Sequence, residues 1–173
     1  MDTYYTIEEK YLQAVDELNY GESPKGLQLL NEIISNDPLY ARAHYQLGKI
    51  YYYTIQDYQT AGYHFKTCME LEPKFPDNYF HYLDLVVFLN MKKQVDNIVN
   101  RAMVTPGVNS ALIYNLLGLF SEKNRDYAKA LTTYKKALIE ATCKDQRTMI
   151  KENIERLNSK IVLLKAYQYH LTG

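Results

Sequence analysis

Tryptophan is absent from this sequence, cysteine occurs only twice, and no charge of either sign is in surplus. Cys68 and Cys143 are too few and too far apart for a disulfide framework or a four-cysteine zinc site, and they fit reduced thiols in a cytoplasmic protein. Twenty Lys and Arg meet twenty Asp and Glu. That balance argues against a nucleic-acid binder, which needs surplus cations for phosphate contacts. Long apolar runs are missing too. The longest uncharged apolar-rich run, Val108 to Phe120, contains Asn109, Ser110 and Asn115, too short and too polar to span a bilayer. The chain opens without a basic segment followed by an apolar one, so no signal peptide is expected.

Chemistry-bearing motifs are scarce as well. There is no Gly-x-x-x-x-Gly-Lys loop to cradle phosphate and no His-Glu-x-x-His metal motif. His64 and Cys68 stand four apart on one expected helix, but two ligands do not make a metal site and a packed thiol is the simpler reading. His81 and Asp84 are read as helical neighbours, and His44 as a core residue. The expectation is a protein without catalytic residues, metal or cofactor.

Tyrosine, in contrast, occurs eighteen times. Its large ring and single polar tip suit half-buried positions and contact surfaces, and eighteen are too many for all to be hidden. Hydrophobic residues make up 47%, enough for a continuous core. The zero net charge conceals a division: residues 1–40 hold two lysines against eight acids, whereas 41–173 hold eighteen basic residues against twelve acidic ones. Such a split can simply solvate the surface, or it can steer a polar partner or bring copies together head to tail.

Internal periodicity organises the chain. His44, Leu47, Gly48, Tyr51, Ala61, Phe65 and Pro73 form one pattern, with one extra residue placed in the inter-helix turn around Thr54 to Asp57. Tyr114, Leu117, Gly118, Tyr127, Ala130, Tyr134 and Ala137 repeat it. Weaker copies run through Ala14, Gly26, Leu30, Ile33 and Pro38, and through Tyr79, Tyr82, Val86, Val95, Ala102 and Pro106, where Leu83 replaces the usual small residue. The second-helix anchors Gly26, Ala61, Val95 and Ala130 lie 35, 34 and 35 residues apart. The pattern resembles the tetratricopeptide repeat, in which each helix pair buries its apolar face only against its neighbours. Residues 145–170 depart from it. Ile150, Ile154, Leu157, Ile161 and Leu164 mark one face of a long helix, most simply a cap on the last repeat, with dimerisation as the alternative.

The resemblance implies an all-α fold: a right-handed α-solenoid of about four antiparallel helix pairs at 7–40, 41–75, 76–110 and 111–144, followed by the capping helix, in one array over 1–173. It also implies a concave groove lined by the first helix of each repeat. Carried over, the groove comprises Tyr11 and Asn19, with Val15 and Leu18; Arg42, Tyr45, Lys49, Tyr52 and Tyr53; Phe80, Asp84 and Phe88, with Val87; and Asn115 and Leu119, with Leu112, Glu122 and Lys123. A trough rich in Tyr and Phe suits a protein or peptide segment with hydrophobic anchors. The function expected is therefore an adaptor or scaffold, or alternatively a client-holding chaperone such as a secretion chaperone. Neither nucleic acid nor membrane is expected as partner. A monomer is the first expectation, with homo-oligomers through the C-terminal helix or the oppositely charged ends as the alternative. At the positions where chaperone-cofactor repeats grip a C-terminal carboxylate, only Lys49 is cationic and Asp84 would repel the ligand. Titration calorimetry with a free acidic C-terminal peptide is expected to show no nanomolar binding.

Overall fold

The computed structural model describes residues 6–172, with side chains through residue 167. The stretch 1–5, on which the absence of a signal peptide was read, lies outside the described residues, as do the side chains at the end of the expected capping segment. All regular structure among the described residues is helical: α1 (Ile7–Tyr20), α2 (Ser23–Asn36), α3 (Ala41–Lys49), α4 (Tyr58–Leu71), α5 (Pro76–Phe88), α6 (Lys92–Ala102), α7 (Ser110–Lys123), α8 (Tyr127–Glu140) and α9 (Lys144–Thr172). The expected all-α class is the one observed. The chain forms two compact units, residues 1–85 and 86–173. The division falls within the degenerate repeat, inside α5.

Local signals set the helix ends. Thr6 and Glu9 cap α1 reciprocally, each side chain answering the other's backbone N–H. Asp57, Asn109 and Asp126 accept from the third backbone N–H of α4, α7 and α8, satisfying donors that no helical carbonyl can reach. Pro24 and Pro76 sit in first turns, where a missing N–H costs nothing. Pro38, Pro73 and Pro106 each follow a helix end. The turns within three repeats pass through left-handed residues, Gln56 (φ 62°), Asn90 (φ 56°) and Arg125 (φ 61°), at the same spacing as the buried anchors. Asparagine tolerates this conformation, whereas Gln56 and Arg125 each carry roughly 1–2 kcal/mol of backbone strain that packing must offset.

In the second repeat the extra residue is not in the turn, as the sequence suggested. Ile50–Ile55 continues α3 as a π-helical stretch, leaving only Gln56 and Asp57 to reverse the chain. A π-helical stretch takes in an inserted residue by widening the helix, and such widenings favour functional positions.

In the N-terminal unit, α1 packs on α2, α2 on α3 and α3 on α4. Ala14, Leu30, Ile33, Ala43 and Leu47 form a core with almost no exposure, joined by Tyr11. In the C-terminal unit, α7 packs on α8 and both are covered by α9. Ile150 and Leu157 are fully buried there, with Ile154 and Ile161 alongside. Each such side chain contributes about 1.5–3 kcal/mol on burial. The expected stripe therefore seals the last repeat as far as Ile161, while Leu164 is 40% exposed. The seal also has a polar lock. The Glu122 carboxylate, 4% exposed, receives Arg156 at 2.5 Å, Lys160 at 3.4 Å and the Tyr134 hydroxyl at 3.2 Å. Burial resists its ionisation, yet the Arg156 hydrogen bond and charge, with Tyr134 and Lys160, hold it below the usual carboxylate range.

The helix pairs cross at glycine. A Cβ on Gly48 would stand 2.6 Å from the Phe65 ring, and one on Gly118 2.5 Å from the Tyr134 ring. At Gly62 the nearest atom would be Leu85 at 3.7 Å, an ordinary contact. Gly48→Ala is therefore expected to destabilise by about 1–3 kcal/mol through overpacking. Gly62→Ala should stabilise by about 0.5–1 kcal/mol through helix propensity. Urea unfolding of the two variants checks the opposite signs.

Candidate functional site

Between the end of α1 and the α3–π segment lies an open cleft of about 200 Å³, lined by Leu18, Asn19, Ser23, Gln46, Lys49, Ile50, Tyr53 and Thr54. Asn19, Lys49 and Tyr53 were expected in the groove, with Leu18 beside them. Gln46, Ser23, Ile50 and Thr54 were not. Ile50 and Thr54 belong to the π-helical stretch, whose altered pitch turns side chains away from the positions that a regular helix gives them. Lys49 has no carboxylate partner among the described residues; its ammonium lies 5.2 Å from the centre of the Tyr45 ring.

Beside the cleft, the N-terminal unit holds an aromatic cluster around His81. Tyr45 and Phe80 approach its ring at 5.7 and 5.2 Å between centroids, and Tyr53 at 5.5 Å. The Tyr53 hydroxyl lies 2.8 Å from His81 Nδ1 and 3.5 Å from Asp84 Oδ2, and the Tyr52 hydroxyl donates to the same Asp84 oxygen at 3.1 Å. Successive side chains on a regular helix diverge by about a quarter turn or more, whereas these two rings stand 4.4 Å apart with both hydroxyls on one carboxylate. Burial pushes the Tyr52 and Tyr53 hydroxyls up, and the Asp84 charge adds to it. Burial also raises Asp84, against the two tyrosine hydrogen bonds. His81 is lowered to about 4 by burial first and then by the Lys49 charge. The cluster thus combines a neutral histidine and two protonated tyrosines with the Asp84 carboxyl, joined to one another by hydrogen bonds. The Cys68 thiol, buried and raised to about 12, is inert.

The remaining groove residues divide by environment. Tyr45 is buried edge-on against Phe75 at 5.0 Å, and Tyr11 is buried against Tyr40 at 5.4 Å with its hydroxyl accepting from Gln46. Both are walls of the structure rather than open surface. Arg42 is exposed, 4.0 Å from Glu8. Phe88, Asn115 and Leu119 belong to the C-terminal unit. There Asn115 is buried and accepts from Asn153 of α9, so the chain's own last helix covers this part of the expected groove. Phe88 is 51% exposed, with Lys123 over its ring and bonded to its carbonyl. Among the described residues there is no cluster of three metal-ligating side chains, and no helix is long and apolar enough to cross a membrane.

Solved structures share the helical fold. The chain has the fold of MamA. The structure titled MamA 41-end from Desulfovibrio magneticus RS-1 matches with a TM-score of 0.74 at 17% identity, covering 96% of this chain and 91% of that one. A MamA RS-1 ArsTM double mutant matches equally, with 90% of its chain covered. A further crystal structure of MamA has a TM-score of 0.69 at 18% identity, over 78% of each chain. No family model and no curated protein sequence matches. At these identities the likeness to MamA establishes the helical-repeat fold.

Two buried histidines face each other elsewhere in this unit: His64 Nδ1 lies 2.9 Å from that of His44, whose Nε2 faces the Pro38 carbonyl at 3.0 Å. Burial and then His44 lower His64 to about 4. In the unfolded chain both His64 and His81 titrate near 6.5. Their contribution to stability is therefore whole above pH 6.5 and is lost as pH falls from 6.5 towards 4, because the unfolded state takes up protons first. Replacing His81 by Gln should flatten this part of the stability profile by up to about 1.4 kcal/mol per pH unit, measured by denaturant unfolding at successive pH values.

Proposed function

We propose that the chain is a protein-interaction module, an adaptor or scaffold, whose cleft beside α1 and the π-helical stretch takes a segment of another polypeptide. The observation that carries this reading is the composition of the cleft. Leu18 and Ile50 offer apolar surface, Asn19, Gln46, Ser23 and Thr54 offer donors and acceptors for a peptide backbone, and Lys49 offers a charge uncommitted to any carboxylate among the described residues. Tyr53, 47% exposed, presents its ring at the edge. Rings of this kind bury much area at little entropic cost, so they anchor contacts. The guest that matches is an extended or helical segment with an apolar anchor and an acidic neighbour to meet Lys49.

Binding rather than catalysis is the role, since the polar groups beside the cleft are committed to one another. Within the N-terminal unit, Tyr11 and Tyr45 act by shaping the walls. Two free cysteines, one buried and one exposed, accord with a cytoplasmic setting.

Lys49→Ala combined with Tyr53→Ala tests the reading. Removing an aromatic anchor costs about 2 kcal/mol, roughly a thirtyfold loss of affinity. Partners captured from the native host by the wild-type chain should be lost by the double variant, while its thermal midpoint stays within a few degrees. Capture at the wild-type level would reject the cleft.

A further inference from the structure

The last turns of α9 change character where the seal on the final repeat ends. From Lys144 to Glu155 three acids accompany three cations, whereas from Arg156 to Tyr167 there are three cations and no acid. Arg156 and Lys160 are engaged by Glu122, but Lys165 has no carboxylate partner among the described residues. The positions off the capping stripe change too. The earlier turns set Lys151, Glu152 and Glu155 towards solvent, while the later ones expose Val162, Leu163 and Tyr167 at 65%, 70% and 67%. Contiguous exposed apolar surface of this kind marks a contact site.

Beside it, Leu164 carries the stripe one step further into an open cleft of about 310 Å³, lined by Arg125, Tyr127, Ile161, Leu164 and Lys165. No acid is among these residues. Ile161, Leu164 and the half-buried Tyr127 ring supply the apolar part. The Lys160 ammonium lies 5.7 Å from the centre of that ring, so the aromatic wall is positive as well. Arg125 comes from the turn between α7 and α8 and Lys165 from α9, so two different elements set cations around the apolar part. Both are exposed, and Arg125 too has no carboxylate partner among the described residues.

We infer that this cleft is a docking site for an acidic amphipathic helix of another protein. An apolar side chain of that helix enters over Ile161 and Leu164, and acids three or four residues to either side of it meet Arg125 and Lys165. The apolar surface continuing past the cleft at Leu163 and Tyr167 calls for an occupant longer than one side chain, which a helix face with anchors at steps of three and four provides. A bilayer surface is flat and cannot follow a cleft, whereas a ridge of side chains can. Nucleic acid would meet the cations and leave the apolar surface uncovered. Because the charge pairs lie at an exposed rim, binding weakens with salt. The surface belongs to the C-terminal unit and does not depend on the Lys49 cleft.

The chain has no tryptophan, so a tryptophan in a peptide reports its own burial. The probe is a synthetic helix of about 18 residues with a Trp–Leu face flanked by Glu. At low salt the full chain should shift its emission saturably to the blue. The same peptide with every Glu replaced by Lys should bind about tenfold more weakly. Leu164→Glu with Lys165→Glu should weaken the acidic peptide by about tenfold or more. Arg125→Glu with Lys165→Glu should reverse the preference towards the Lys peptide, a gain that also shows this variant to be folded. Lys49→Ala with Tyr53→Ala should leave binding unchanged. Equal binding of the two peptides overturns the proposal, as does binding that survives both cleft variants or is lost with the Lys49 and Tyr53 changes. So does failure of the acidic peptide to bind, including the case in which the chain binds phosphatidylserine vesicles instead.

Discussion

In both units the packing depends on an aromatic ring set against backbone that has no Cβ. Phe65 lies on Gly48 and Tyr134 on Gly118, with ring atoms where a methyl group would otherwise stand. The close crossing brings first and second helices together along their length, and the fully buried Leu47, Ala61 and Ala130 follow from it. The same constraint fixes the distance along the chain between glycine and ring. Sixteen residues separate Gly118 from Tyr134, and seventeen separate Gly48 from Phe65. The second repeat must therefore hide one residue without moving either end of the contact.

It does so inside the helix. The widened turn over Ile50–Ile55 takes up the residue, and the chain still reverses at Gln56 in the left-handed conformation used at Asn90 and Arg125. A wider turn gives poorer hydrogen-bond geometry, and it brings Asp84 under two tyrosine hydroxyls. Burying that carboxylate is costly, as its raised pKa shows, and the hydroxyls return part of the cost. The position of the cleft is thus a consequence of how one inserted residue was accommodated. Ile50 and Thr54 line it because the helix that carries them no longer has its regular pitch.

This explains what could be read from sequence. The anchors Gly26, Ala61, Val95 and Ala130 were legible because small size at a fixed interval is a local signal, and all four are buried as that signal requires. The capping stripe from Ile150 to Ile161 was legible for the same reason. The insertion was legible as a count but not as a place, since nothing in Ile-Tyr-Tyr-Tyr-Thr-Ile distinguishes a wide helical turn from a loop. The left-handed turn positions were hidden because Gln and Arg stand where glycine would have announced them. In the site, periodicity told which residues share a face. It did not tell which rings another ring would cover, so Tyr11 and Tyr45 read as groove and are wall. Asn115 read as groove because the helix that covers it is distant in sequence and bonds it through Asn153.

The end of the array obeys the constraint with which it began. A helix pair cannot close its own apolar face, so α7 and α8 need a further helix, and α9 supplies one. Apolar contact alone would let α9 slide along its axis, because an Ile–Leu stripe at steps of three and four fits nearly as well one turn away. The buried Glu122 removes that freedom. Arg156 and Lys160 are four apart on α9, and only one register brings both to the carboxylate while Asn153 meets Asn115. Since Arg156 and Lys160 remain half exposed, their desolvation cost is small, whereas Glu122 without them would be an uncompensated buried charge. The register so fixed ends the seal at Ile161 and leaves the remaining turns of α9 with an apolar, cationic face that the last repeat is too short to cover.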